Sequence, residues 1–181
     1  MTAPFRGWEK RAQETFRALL MALAYPGRVF PLRGPSPEEA LLRVAEALVD
    51  GSVGVHGPGF LLEALRAQGV RSALPQEADF LFAEGPGGLE DLARRARVGH
   101  PLSPEEGATL VAAVPLGRGP LLRVTGPGVE GEAFLRAPLP RGFLEVREAR
   151  LAYPLGFEVF LVDGRGVVGL PRTAEVQVWD T

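Results

Sequence analysis

The chain has 181 residues, 46% of them hydrophobic, with 20 basic against 22 acidic residues and a formal net charge of −2. This length and apolar content fit one domain over residues 1–181, which buries roughly 70% of its unfolded surface, while the near-neutral charge excludes the basic footprint of a nucleic-acid binder. The absence of Cys removes disulfides, thiolate catalysis, iron-sulfur ligation and Cys-based zinc together.

In chain order, Trp8, Ala12, Phe16, Leu19, Leu20 and Leu23 recur at helical spacing and predict an amphipathic helix over 8–25, stopped by Pro26-Gly27. Ser36, Pro37 at the first helical position and Glu39 form a capping box that starts a second helix running to Gly51. A strand over 52–56, a helix over 59–68 closed by Gly69, a strand over 78–83 and a helix over 89–98 follow, the alternation of an α/β domain. Ser103-Pro104-Glu105-Glu106 repeats the residues of 36–39, but the small apolar run 109–114 behind it reads as a buried strand, so the second capping signal is expected to make one turn. Residues 121–125 are expected to neighbour that strand across a Gly-Pro turn, and Arg141 to Ala152 to form the last helix. Phe157 to Leu170 reads as a hairpin with a positive-φ turn at Asp163-Gly164, and 174–179 alternates as a half-exposed edge strand. The expected class is α/β, a single domain with a mixed central sheet flanked by helices.

No apolar run approaches the ~18 residues of a membrane span, and the N-terminus lacks the apolar core of a signal peptide, so the expected location is the cytoplasm. Asn and Ile are absent and Lys10 is the only lysine, a bias that suits a thermophile with a GC-rich genome.

Gly126, Gly128 and Gly131 spell G-x-G-x-x-G after a predicted strand, but Pro127 sits inside the motif and no long helix follows before Pro138, so a Gly-rich turn is expected in place of a phosphate cradle. His56 and His100 are the only histidines and have no metal-ligand spacing; His56 is read as structural and His100 as lying on an exposed loop. No serine lies in a G-x-S-x-G elbow. The polar residues that propensity leaves unexplained are Arg17, Arg123, Glu158 and the Arg172-Thr173 pair, each in or beside an apolar segment. A carboxylate cannot be buried alone, so an inward-facing Glu158 needs Arg172 or Arg123 as partner.

These residues fall in blocks that resemble PhnH, the H subunit of the carbon-phosphorus lyase core complex: Phe16-Arg17-Ala18-Leu19-Leu20 with Pro26-Gly27, Gly107-Ala108-Thr109-Leu110, Leu122 to Gly128, Pro154-Leu155-Gly156, and Pro171-Arg172-Thr173 with Val176. Two positions depart: the family often has Asp at the place of Glu158 and Met near Leu23. The resemblance implies the fold of pyridoxal-phosphate-dependent transferases without the cofactor, and a homodimer. It implies action with the G, I, J and L type subunits, in transferring ribose 5-triphosphate from ATP to an alkylphosphonate with release of adenine. No cofactor or metal is expected, and no nucleic-acid or membrane partner. Lys10, the one lysine able to form a Schiff base, is far in sequence from any cofactor-cradling turn. The leading expectation is an accessory subunit without activity of its own, with the apolar hairpin and C-terminal edge strand as contact surfaces. The alternative is a transferase or nucleotide- or phosphonate-binding enzyme that works by itself through clustered arginines such as Arg17, Arg123 and Arg172.

Overall fold

Strands of two compositions sort into two main sheets. The computed structural model describes residues 7–179. Its helices are α1 (Gly7–Ala24), α2 (Pro37–Leu48), α3 (Gly59–Arg66), α4 (Leu89–Arg95) and α5 (Arg141–Arg150). Its strands are β1 (Phe30–Pro31), β2 (Gly54–His56), β3 (Arg71–Ser72), β4 (Phe80–Ala83), β5 (Val98–His100), β6 (Ser103–Gly107), β7 (Thr109–Ala113), β8 (Leu121–Thr125), β9 (Ala133–Arg136), β10 (Glu158–Val162), β11 (Gly166–Leu170) and β12 (Glu175–Val178).

A seven-stranded sheet has the order β1-β11-β10-β7-β4-β2-β3. It is mixed: β10, β7, β4, β2 and β3 run parallel, while β11 and β1 join antiparallel. Strands β7 (TLVAA) and β10 (EVFLV) are almost continuously apolar because both of their faces are covered. On one face Phe82, Val111, Phe160, Val162 and Val167 pack with Leu19 and Ala22 of α1, Leu41 and Val44 of α2, and Leu61 and Leu65 of α3. On the other face their sequence neighbours Leu81, Leu110, Val159, Leu161 and Val168 meet Leu89 and Ala93 of α4, Phe143 and Leu144 of α5, and Leu122, Val124, Leu135 and Val176 of a second sheet. A period-two strand thus feeds two separate cores.

The second sheet has three antiparallel strands in the order β12-β8-β9. This corrects one expectation. β8 does not neighbour β7; in LLRVT only Leu122 and Val124 are fully buried, and that alternation suits a sheet with one face toward solvent. β12 is an edge strand, as its sequence indicates.

Three further expectations change. Ser103 to Glu106 belong to β6, paired antiparallel with β5, and do not form a helical turn. His100 therefore sits exposed in a strand and not in a loop, its Nδ1 accepting from the Leu102 N–H at 3.3 Å. Neither Asp163 nor Gly164 has positive φ. The hairpin turn is closed instead by the Asp163 carboxylate, which accepts the N–H groups of Arg165 and Gly166 at 2.9 Å each, the local competition with backbone pairing typical of Asp in turns.

Helix α1 buries Thr15, Leu19 and Ala22, whereas Trp8, Phe16 and Leu20 are 55%, 50% and 57% exposed. The predicted apolar face is therefore wider than the groove it fills. The hairpin β10-β11 is the reverse case: nearly every residue is buried, so it offers no contact surface.

Candidate functional site

The chain leaves the seven-stranded sheet at Leu170, turns through Pro171-Arg172-Thr173-Ala174, and enters the three-stranded sheet at Glu175. Pro171 fixes its own φ, and the turn closes with the Ala174 N–H donating to the Pro171 carbonyl at 2.9 Å. Glu158, the first residue of β10, lies against this corner. Its carboxylate accepts the Arg172 backbone N–H at 2.8 Å and Arg172 Nε at 2.6 Å. The same guanidinium reaches outward through Nη1 to the carbonyls of Pro104 at 2.7 Å and Pro154 at 3.1 Å. Arg172 thus ties together β10, β6 and the loop before β10 that holds the cis Tyr153-Pro154 peptide.

Two glycines make room for it. A Cβ on Gly107 would run into the Gly156 carbonyl and within 2.9 Å of Arg172 Nη2. One on Gly156, whose φ is +150°, would lie 2.9 Å from Arg172 Cβ. The Gly107-Ala108-Thr109, Pro154-Leu155-Gly156 and Pro171-Arg172-Thr173 blocks, remote in sequence, are therefore parts of one packing arrangement.

A second arginine, not singled out from the sequence, completes the corner. Arg147 on α5 is 2% exposed and donates from Nη1 to the Ala174 carbonyl at 3.0 Å and from Nη2 to the Pro171 carbonyl at 2.8 Å. Its Nε is buried without a partner among the described residues. Burial lowers its pKa to about 10, against the opposing pull of the Glu158 charge. The signal was present: Phe143, Arg147 and Leu151 are spaced by four, which places the arginine on the buried stripe of α5. Its charge concealed it among the solvated residues of a helix that is polar on average.

Beside the corner lies a groove of about 690 Å³ whose lining includes Arg147, Leu151, Tyr153, Thr173, Val176 and Gln177. Arg172 and Thr173 are thus both at this site. Arg17 is exposed on α1, its side chain without a salt bridge or hydrogen bond among the described residues. Arg123 lies on β8, donating to Glu132 Oε1 at 2.8 Å and covering the Trp179 ring at 5.2 Å. Arg17, Arg123 and Arg172 stand on separate elements, and the last two are engaged by different carboxylates; the pair that shares a site is Arg147 and Arg172.

The Gly126-Gly128-Gly131 turn leads into β9 and not into a helix. A Cβ on Gly128 would strike the Ala24 carbonyl at the end of α1, so the turn docks against that helix stop. His56 Nδ1 lies 3.3 Å from the Ala73 carbonyl. Among the described residues no three His, Cys, Asp or Glu side chains gather as a metal would need, and no helix is long and apolar enough to cross a membrane.

Comparison with known proteins places this arrangement in a context. Residues 4–177 match the model of the family described as Bacterial phosphonate metabolism protein (PhnH). The chain is 40% identical, over 182 aligned residues covering 97% of its length and 91% of the relative's, to a protein of Stutzerimonas stutzeri whose name puts it forward as a C-P lyase subunit protein, HtxG.

Proposed function

The chain belongs to the PhnH family of bacterial phosphonate metabolism proteins, and from that premise we propose that it is an accessory subunit of a carbon-phosphorus lyase core complex. It acts in the cytoplasm as a homodimer, without a cofactor or activity of its own, together with G, I, J and L type subunits. The assembly transfers ribose 5-triphosphate from ATP to an alkylphosphonate and releases adenine. The observation that carries this reading is the match to a relative named for such a complex along 97% of the chain. Two surfaces support it: the exposed Trp8, Phe16 and Leu20 of α1, an apolar patch of the kind that marks protein contacts, and the open edge of β12. The corner residues then serve to hold the two sheets in one rigid relation, which a subunit that must present surfaces requires.

Co-expression with the partner subunits, followed by affinity capture and a synthase assay with ATP and methylphosphonate, tests this. The expected result is stoichiometric co-purification and turnover that needs every subunit. Turnover of ATP and methylphosphonate by the purified protein alone would replace the reading with that of a self-sufficient enzyme.

A further inference from the structure

Three charged groups meet at the corner, and they do not balance. Glu158 is the carboxylate of Arg172, whereas Arg147 has no carboxylate within ion-pair distance among the described residues. Arg147 and Arg172 against Glu158 leave one positive charge, and it lies on the residue that is 2% exposed. A guanidinium has five N–H donors; Arg147 uses one at Nη1 and one at Nη2, and its Nε is buried without a partner among the described residues. Burying a cation in this state is costly unless something negative reaches it.

The groove supplies the route. Arg147 and Arg172 both line it, with Thr173 beside them, while Leu151, Tyr153 and Val176 give it apolar walls. Glu148 and Glu175 also line it, but both are exposed, so their charges are solvated while that of Arg147 is not. Trp179 N–H donates to the Leu121 carbonyl, which sets the antiparallel phase and leaves the Val176 N–H and C=O on the free edge of β12. A groove with a buried uncompensated cation, a threonine, a free backbone edge and apolar sides has the features of a small-ligand site.

We infer that the groove between α5 and β12 binds a short-chain organic oxyanion, its acid group toward Arg147 and Thr173 and its apolar tail against Leu151, Tyr153 and Val176. Choosing a phosphonate among such acids rests on the family reading above; the requirement for an oxyanion does not.

Calorimetric titration of the full chain with ethylphosphonate, propionate, inorganic phosphate and the neutral diethyl ethylphosphonate tests this. Saturable binding of ethylphosphonate or propionate, with the neutral diester inert, is expected. Thr173→Glu places a carboxylate in the groove as an internal counter-ion; it should keep or raise the melting temperature and weaken oxyanion binding by roughly ten- to a hundred-fold, the range of a lost charge-assisted contact. Tyr153→Ala changes an 83% exposed residue, so it leaves folding intact, and should weaken ethylphosphonate more than phosphate. Equal binding of acid and neutral diester, unchanged binding by Thr173→Glu, or no binding of any oxyanion would each overturn the site. If oxyanions fail to bind but Thr173→Glu blocks capture of the partner subunits, the groove holds an acidic segment of a partner and the small-ligand site is wrong while the complex stands. Oxyanion binding by a protein that captures no partners would leave the site standing and sink the accessory-subunit reading.

Discussion

Two arginine-carboxylate pairs in this protein have nearly identical geometry and opposite settings. Arg172 Nε and Glu158 are 2.6 Å apart with side chains 14% and 22% exposed, and Arg123 Nη2 and Glu132 are also 2.6 Å apart with side chains 31% and 42% exposed. The first pair closes the open end of the β10-β11 hairpin, and its arginine makes four hydrogen bonds in all, two of them to the carbonyls of Pro104 and Pro154 on other segments. The second joins neighbouring strands that already pair through their backbones. Bond length therefore says little about consequence. What distinguishes the pairs is how much solvent can replace a lost partner and how many further segments the arginine holds.

The largest effect should come from removing the carboxylate of the buried pair. Glu158→Ala leaves Arg172 and Arg147 with no opposing charge and frees the Arg172 backbone N–H, and breaking such a pair costs about 3–5 kcal/mol. At about 2–4 °C per kcal/mol for a chain of this size, the melting temperature should fall by roughly 6–20 °C in calorimetry. A fall of only a degree or two would erase the distinction between the two pairs.

Replacing Arg147 sharpens the same point, because its charge costs stability while its hydrogen bonds supply it. Arg147→Met forfeits two charge-assisted bonds, each worth about 1.5–3 kcal/mol, and relieves roughly 3 kcal/mol of burial cost implied by the fall of its pKa to about 10. A net loss of up to about 3 kcal/mol near neutrality is expected, read from urea midpoints. The pH dependence has a definite sign. The folded state holds this proton less tightly than the unfolded state, so the cost is fully present below pH 10 and fades as pH rises through it. The difference between wild type and Arg147→Met should be flat from pH 7 to 9 and then grow in favour of the wild type. A difference that shrinks above pH 10 would mean that burial does not control this guanidinium.

Gly107→Ala perturbs the buried corner without touching charge. The new methyl group meets the Gly156 carbonyl and the Arg172 guanidinium, and overpacking of this kind costs about 1–3 kcal/mol. A melting temperature within a degree of wild type would show that Arg172 can shift aside, and that the corner is less tightly specified than its contacts indicate.

Much of the fold was legible because local signals and tertiary context agreed. The helices at 7–24, 37–48 and 141–150 and the strands at 109–113 and 158–162 follow from periodicity and stop signals alone. The clearest failure is instructive: Ser-Pro-Glu-Glu caps a helix at 36–39, where the Ser36 side chain accepts the Glu39 N–H at 3.2 Å, and forms strand β6 at 103–106. The residues are the same. What differs is that β7 of the central sheet begins at Thr109, leaving no length for a helix, while β5 offers backbone partners to the second copy. The corner was half legible. Glu158 and Arg172 stood out as charges inside apolar segments, but Arg147 did not, because a helix with several surface arginines gives no sign of which one is turned inward. That Gly107 leaves space for the Arg172 guanidinium and Gly156 for the stem of the same side chain could not be read at all, since these contacts depend on the tertiary fold and those of Gly107 bridge segments remote in sequence.

The smallest effect belongs to the exposed pair, and it completes the comparison. Arg123→Ala loses an ion pair worth about 0.2–1 kcal/mol at a partly solvated site and the ring contact with Trp179, worth about 0.5–1 kcal/mol. The melting temperature should drop by about 1–8 °C. Glu132→Ala loses the ion pair alone, so a double-mutant cycle isolates it, and about 0.5 M salt should bring that coupling to near zero because the charges are open to counter-ions. The coupling of Glu158 with Arg172, measured the same way, should survive that salt largely intact. Equal salt sensitivity at the two sites would show that the corner is wet, and would take away the physical basis for an uncompensated charge at Arg147.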